Sequence, residues 1–415
     1  MKASGLFVIT RVFLPFGAGY FLSYLYRVVN AIIAPDLIAD ITLSPSELGF
    51  LTSTYFISFA SFQLPLGVLL DRFGPRRTEA VLLLFAGTGA FIFSRADSLL
   101  GLIVGRSLIG FGVSACLMAS FKAYTIWFPR EKWPMVNGFQ MACGGLGALA
   151  ATSPVQAALG YTDWRGVFLI LAGLTFLAAT IVYFVVPETD NGGRSETLVH
   201  QLGGIRQVFS SILFWQAAPL VTMSQAALLS IIGLWSGPWL RDVVRLDRVE
   251  VAATLFWVAV AMIAGFIVLG SVAVRLKRVG IPVMITSVAG MMIFMGMQLV
   301  ILLGPAQWYM VVWPLFGFFG TSGIIAYSAL SQTFPVHLSG RVTTAVNLLV
   351  FIAAFTAQWA IGVIIGMWPV GMDGSYAVMG YKTAHGIMLA IQVISLLWFF
   401  LARVVLRDGG KTRNY

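Results

Sequence analysis

Apolar runs of about 20 residues recur along this chain, each long enough to cross a hydrocarbon core. They lie near residues 12–34, 47–70, 78–95, 99–126, 135–158, 166–186, 213–238, 250–274, 281–303, 307–333, 342–366 and 384–404. The chain is 59% hydrophobic and 10% charged, against about 25% charged in soluble domains. That much apolar surface needs lipid as its solvent. The pattern predicts an all-α integral membrane protein with twelve transmembrane helices. The lipid bilayer is the first partner it implies.

The net charge of +10 sorts by topology. With the N-terminus in the cytoplasm, most Lys and Arg fall at cytoplasmic helix ends and loops. They include Arg72, Arg76, Arg77, Arg130, Lys132, Arg275, Lys277, Arg278, Arg403 and Arg407. This is the positive-inside bias, and it removes nucleic acid as a partner. Residues 1–11 carry no cleavage-like site, so the first run reads as a retained helix and both termini as cytoplasmic. Cys116 and Cys143 lie inside runs 4 and 5, where packing is the expected role. No nucleophile–base pair, metal cluster or phosphate-binding glycine loop stands out, so no enzyme, cofactor or metal is expected.

A charged hinge joins runs 2 and 3: Gly67-Val-Leu-Leu-Asp71-Arg72-Phe-Gly74-Pro-Arg76-Arg77. A worn copy, Gly270-Ser-Val-Ala-Val274-Arg275-Leu-Lys277-Arg278-Val-Gly280, follows 203 positions later. Gly110-Phe-Gly-Val-Ser, ending in Trp127-Phe128-Pro129, matches Phe316-Gly-Phe-Phe-Gly, ending in Thr333-Phe334-Pro335, at an offset of 206. Two similar offsets indicate duplication. The polar segment 187–212 reads as a cytoplasmic linker between a half at 1–186 and a half at 213–415. Repeats of this size mark secondary transporters, with a site at the repeat interface near the midplane.

With these motifs the whole chain resembles the major facilitator superfamily. Gly67 to Arg77 matches its loop between spans 2 and 3. Gly105-Arg106 to Gly112 resembles its span-4 motif, Gly138 to Pro154 its glycine-rich span 5, and Trp164-Arg165-Gly-Val-Phe168 its approach to span 6. The first third is most similar to the organic-anion branch, which includes anion:cation symporters. The matching residues are Tyr26-Arg27-Val-Val-Asn30, Ala34-Pro35, Leu43-Ser44, Gly49 and Trp127-Phe128-Pro129. The resemblance implies twelve helices in two six-helix pseudo-symmetric halves and a bacterial inner membrane. It also implies a gating set of Asp71, Arg72, Gly74, Arg76, Arg77 and Arg106, in which Asp71 latches the two halves in the outward-facing state. Val274 takes the acid's place in the second copy, so one latch is expected. The branch's proton-carrying acids are replaced by Tyr26 and Val113.

All sixteen Asp and Glu are placed in loops or at helix ends, leaving Arg27, Arg106 and Lys122 as the charges inside the membrane. Such a charge costs about 2.5–3.5 kcal/mol on insertion scales and must face a cavity or a partner. Arg27 is the first candidate substrate ligand, with Tyr24 and Asn30 three residues either side on its face. A guanidinium can grip a carboxylate or phosphate bidentately; snorkelling to the interface is the structural alternative. Lys122 is second, and matches a basic residue of the organic-anion branch; it lies one turn from a helix end, where snorkelling also serves. Asn347 and Gln358, eleven residues apart, share a face of span 11. Gln225 and Tyr327 fall on helices that line the cavity in this superfamily. His385 could titrate near neutral pH, and a structural role is expected.

The expectation is a secondary active or facilitated transporter of a small anion, an organic carboxylate, by alternating access. Uniport, exchange and proton linkage stay open, with a proton or counter-anion as the coupled species. An exporter of neutral or amphipathic compounds is the alternative cargo. A non-transporting membrane receptor on the same fold is the alternative of another class.

Overall fold

In the computed structural model the described residues are 5–129, 132–188, 198–335, 338–371 and 375–411. Arg130 and linker residues 189–197 lie outside them, as do the side chains of Arg403 and Arg407. Among the described residues the chain is helical throughout. Ten stretches are long and apolar enough to cross a membrane. They are Leu6–Val28 (span 1), Gln63–Arg95 (the end of span 2, then span 3), Leu99–Trp127 (span 4), Trp164–Val185 (span 6), Ile212–Asp242 (span 7), Arg248–Arg278 (span 8), Val283–Leu303 (span 9), Ala306–Ser331 (span 10), Gly340–Ile365 (span 11) and Val378–Ala402 (span 12). The two other expected spans are also helices. Span 2 opens at Pro45–Ser61 and runs on into Gln63–Arg95. Span 5 is Trp133–Ala150 followed by the short Ser153–Ala158. The chain is a multi-pass membrane protein with the twelve helices of the expected fold.

Short turns alternate between two ends of the bundle. The end holding the 187–212 segment is called the near end, and the other the far end. Span 1 reaches the far end through a second helix, Asn30–Ile41. Thr42 then turns with φ 55°, and Ser44 caps Pro45–Ser61 in a box with Glu47. The second half repeats this turn. Arg245 has φ 68°, and Asp247 caps Arg248–Arg278 in a box with Glu250. A capping box satisfies two orphan helix donors at once, which fixes where spans 2 and 8 begin. Thr42 and Arg245 are 203 positions apart, as in the sequence reading.

The near-end turn has a different register. Gly74 (φ 77°, ψ 166°) breaks the helix between spans 2 and 3, and Gly280 (φ 90°) does so between spans 8 and 9. These glycines are 206 positions apart, so span 8 carries three more residues than span 2. The 203 register of the hinge copy is therefore corrected there. Lys277, and not Val274, stands opposite Asp71, so the second copy carries a base where the first has an acid.

The segment at 187–212 differs from a plain polar linker. It contains the helix Leu198–Phe209, which packs on span 11. Of the span-5 glycines, Gly147 lets the Phe21 carbonyl of span 1 approach, and Gly145 meets Ile263 of span 8. Gly138 has open space around it.

Gly74 occupies a backbone region that is essentially restricted to glycine. Gly74→Ala is expected to cost about 1–3 kcal/mol, read as a lower thermal unfolding midpoint in detergent. Gly138→Ala, with nothing within 4 Å of its new Cβ, is expected to leave the midpoint unchanged.

Candidate functional site

The far end is closed. The Gly237 backbone of span 7 meets the Ala31 carbonyl of span 1, and Gly362 of span 11 meets the Pro45 carbonyl of span 2. A Cβ on either glycine would fall 2.0 or 2.3 Å from that oxygen. Trp235 Nε1 donates to the Gln358 carbonyl at 2.9 Å. Arg248 at the start of span 8 pairs with Asp36 beyond span 1 at 2.5 Å. On the same end Arg165 pairs with Asp40 and holds its carboxyl below the usual carboxylate range.

Beneath this closure lies a cavity of about 340 Å³ between the halves, within the size range of small-molecule sites. Arg27, at the last turn of Leu14–Val28, is its charged lining residue; no acid among the described residues lines it. Arg27 is buried, and no described carboxylate pairs with it. Its guanidinium carbon lies 4.4 Å from the Tyr24 ring centre, 5.4 Å from Phe351, 5.7 Å from Phe59 and 5.9 Å from Tyr55. Each ring face offers a cation about 0.5–2 kcal/mol, which offsets part of the burial cost and leaves room for an anion. The Arg27 Nε is buried with no hydrogen-bond partner. Phe351 comes from span 11 and stacks on Phe59 with centroids 4.2 Å apart, so both halves build the cage.

Five of the eight substrate residues read from sequence line this cavity: Arg27, Tyr24, Gln225, Tyr327 and Asn347. Asn347 Nδ2 donates to Gln63 Oε1 at 3.1 Å, linking the halves across it. Gln225 Nε2 donates to the Gly320 carbonyl at 3.0 Å. Three do not line it. Asn30 lies past Val29, where span 1 re-forms as a second helix, and donates to Thr52 Oγ1 at 3.2 Å. Gln358 shares a face with Asn347 but sits about 16 Å along the helix at 1.5 Å per residue, inside the far-end closure. Lys122 lies toward the near end and pairs with Asp71.

The rest of the gating set lies around that pair at the near end, apart from Arg106. In this far-end-closed conformation Asp71 bonds a lysine of its own half, because spans 2 and 4 run side by side and bring the two charges together; the latch between halves is an expectation for the opposite, outward-facing state. Arg77 pairs with Glu188, and Arg76 lies 3.8 Å from the same carboxylate and 5.1 Å from the Tyr183 ring centre. Arg72 lies over Phe73. Arg106 is buried behind the cage, donating to the Tyr26 carbonyl at 2.7 Å and lying over Tyr55 at 4.9 Å. Val113 lines the cavity, whereas Tyr26 turns away and bonds Thr175 of span 6 at 2.8 Å. His385 is buried against Trp239, with Nδ1 2.9 Å from the Tyr381 carbonyl.

Sequence reasoning missed Ser23, Phe351 and Gln63 as lining residues. Ser23 is one turn before Arg27 and Phe351 one turn after Asn347, so the face rule reaches both. Gln63 carried no such signal. The placing of every acid at a loop or helix end also needs correction. Asp242 does end a helix, Ser236–Asp242, although it is buried and accepts from the Tyr381 hydroxyl at 2.8 Å; Glu79 is the exception, fully buried inside Gln63–Arg95.

The model of the Major Facilitator Superfamily matches residues 16–358. A probable sulfoacetate transporter of Cupriavidus necator is 29% identical over 164 residues, 40% of this chain and 38% of that protein. A hexuronate transporter of Escherichia coli K12 is 26% identical over 172 residues, 41% and 40% of the two chains. The matched stretches thus span about two fifths of each relative. A bacterial homolog of the human lysosomal transporter Spinster, crystallised inward-facing and unoccupied, shares the fold at a TM-score of 0.79 and 15% identity, covering 98% of this chain and 99% of its own. A D-xylose–proton symporter does so at 0.72 and 16%, covering 94% and 97%.

The Asp71–Lys122 pair is about one-third exposed, so about 0.5–1 kcal/mol of coupling is expected. A double-mutant cycle with Asp71→Asn and Lys122→Met, read by thermal unfolding, checks it. The charge exchange Asp71→Lys with Lys122→Asp is expected to recover most of what either single change loses.

Proposed function

Because the chain belongs to the Major Facilitator Superfamily, we propose that it carries a small organic anion across the membrane by alternating access, with Arg27 as the anion's charge partner. The observation that carries this reading is a buried guanidinium in a cavity with no acid among its described lining residues. A carboxylate or sulfonate there completes the pair that the protein leaves open, through charge-assisted hydrogen bonds. Relatives named for sulfoacetate, hexuronate and nitrate or nitrite support an anionic cargo.

The cavity wall adds detail. Phe59, Leu117, Met118, Phe121 and Met141 give the lining an apolar share beside the polar Gln63, Asn347 and Gln225. This favours an anion with an apolar body and one or two polar groups. The same wall is what the alternative, an exporter of amphipathic compounds, rests on; the lone Arg27 weighs toward the anion. The near end, with Arg72, Arg76, Arg77, Arg275, Lys277 and Arg278, suits the cytoplasm of a bacterial inner membrane. On that orientation both termini are cytoplasmic, segment 187–212 joins two halves at 1–186 and 213–415, and the cavity beneath the closed far end faces inward.

Counterflow in proteoliposomes with labelled sulfoacetate and glucuronate tests the reading. Loss of a hydrogen-bonded charge pair of about 1.5–3 kcal/mol predicts that Arg27→Gln slows flux by about 10- to 100-fold. Arg27→Lys keeps the charge without the fork and is expected in between. Undiminished flux in Arg27→Gln contradicts the assignment.

A further inference from the structure

Glu79 lies in Gln63–Arg95, five residues past the Gly74 break, and is fully buried. Neither carboxyl oxygen has a hydrogen-bond partner beyond the weakly donating Cys116 thiol, and no ion pair among the described residues includes it. Span 1 makes room for it at Gly19: a Cβ there would sit 2.2 Å from Glu79 Oε1. The Cys116 thiol of span 4 lies beside it, 3.7 Å from the same Cβ position, with Tyr124 of the same span nearby. Tyr124 is itself committed to Gln140 of span 5, at 2.7 Å. On the neighbouring turns Cys143 of span 5 packs at Gly17, and Lys122 of span 4 is held by Asp71. Among the described residues no cation pairs with Glu79 to compensate its ionised form. Burying an isolated carboxylate costs far more than any fold can supply.

We propose that Glu79 is a proton-binding site that couples anion movement to a proton, protonated in this far-end-closed conformation and ionised in another. The step is the reversible reaction of one carboxylate with one proton. This inference rests on the reading of Arg27 as the anion's partner. Gly19 and Cys116 lie beside Tyr20 and Leu117, which line the cavity, so Glu79 stands directly behind its wall. Arg27 is eight residues beyond Gly19 on the same helix, about 12 Å along its axis at 1.5 Å per residue. An empty, positive Arg27 favours ionised Glu79; an anion on Arg27 cancels that field and favours the proton. Anion and proton therefore bind with positive linkage, and linkage is reciprocal. The direction is symport.

Two measurements on the full-length protein test this. In proteoliposomes with the membrane potential clamped near zero, a gradient of about one pH unit should accumulate the anion about tenfold at one proton per anion, using labelled sulfoacetate and glucuronate. Glu79→Gln should lose the accumulation and keep counterflow, since Gln mimics the protonated acid. In lipid nanodiscs, infrared spectra at neutral pH should show the C=O stretch of a protonated carboxylic acid that Glu79→Gln removes, with thermal unfolding confirming that the variant is folded. Gradient-driven accumulation that survives Glu79→Gln overturns the proposal. So does counterflow without accumulation in the unaltered protein, which leaves the anion reading standing. Absence of the infrared band in the unaltered protein overturns it whatever the flux. Absence of counterflow for every anion, with the band present, instead counts against the anion reading.

Discussion

A charge buried among membrane helices must be neutralised or given something to hold, and this chain meets that demand in four ways. Lys122 takes Asp71 of the next span but one. Arg106 takes the Tyr26 carbonyl and the face of Tyr55. Arg27 takes four aromatic faces and no anion. Glu79 takes nothing stronger than the Cys116 thiol. The first two are finished structures, and their charges fasten helices to one another. The last two are unfinished, and an incomplete polar group in a dry interior is where a ligand or a proton has most to contribute.

The Arg27 cage also ties chemistry to conformation. Tyr24, Tyr55 and Phe59 belong to the first half, and Phe351 to the second. Phe351 reaches Arg27 because spans 2 and 11 pack tightly above it, down to the contact of Gly362 with the Pro45 carbonyl. A movement that parts the halves at the far end takes Phe351 out of the cage. The cation is then less shielded, and its field on the region around Glu79 changes. In the proposed cycle this makes the closure contacts, and not a separate relay, the link between gate and site. The Arg248–Asp36 pair adds a polar contact across the same closure.

Much of this was legible in the sequence because membrane helices announce themselves by length and composition. The duplication was legible too, since Thr42 and Arg245 and the caps after them keep the 203 offset. Its register at the hinge was not. Three extra residues in span 8 move the glycine turn to Gly280, and a slip inside an apolar helix leaves no compositional mark. Arg27 could be picked out because arginine in an apolar run is rare. Lys122 was as conspicuous, but its partner Asp71 is 51 positions away, and only packing shows that the two meet. Gln358 shows the limit of the face rule, which gives direction around a helix and not depth along it. Glu79 was overlooked because it sits one turn past a charged hinge, where an acid reads as a loop residue.

Transport in this molecule depends on what completes Arg27. A structure of the protein in nanodiscs with sulfoacetate or glucuronate bound tests it most directly. The account predicts the ligand's acidic group about 2.7–2.9 Å from the Arg27 guanidinium nitrogens, inside the cage of Tyr24, Phe59 and Phe351. An acidic group bound instead at Lys122 or the near-end arginines, with Arg27 unengaged, would contradict it.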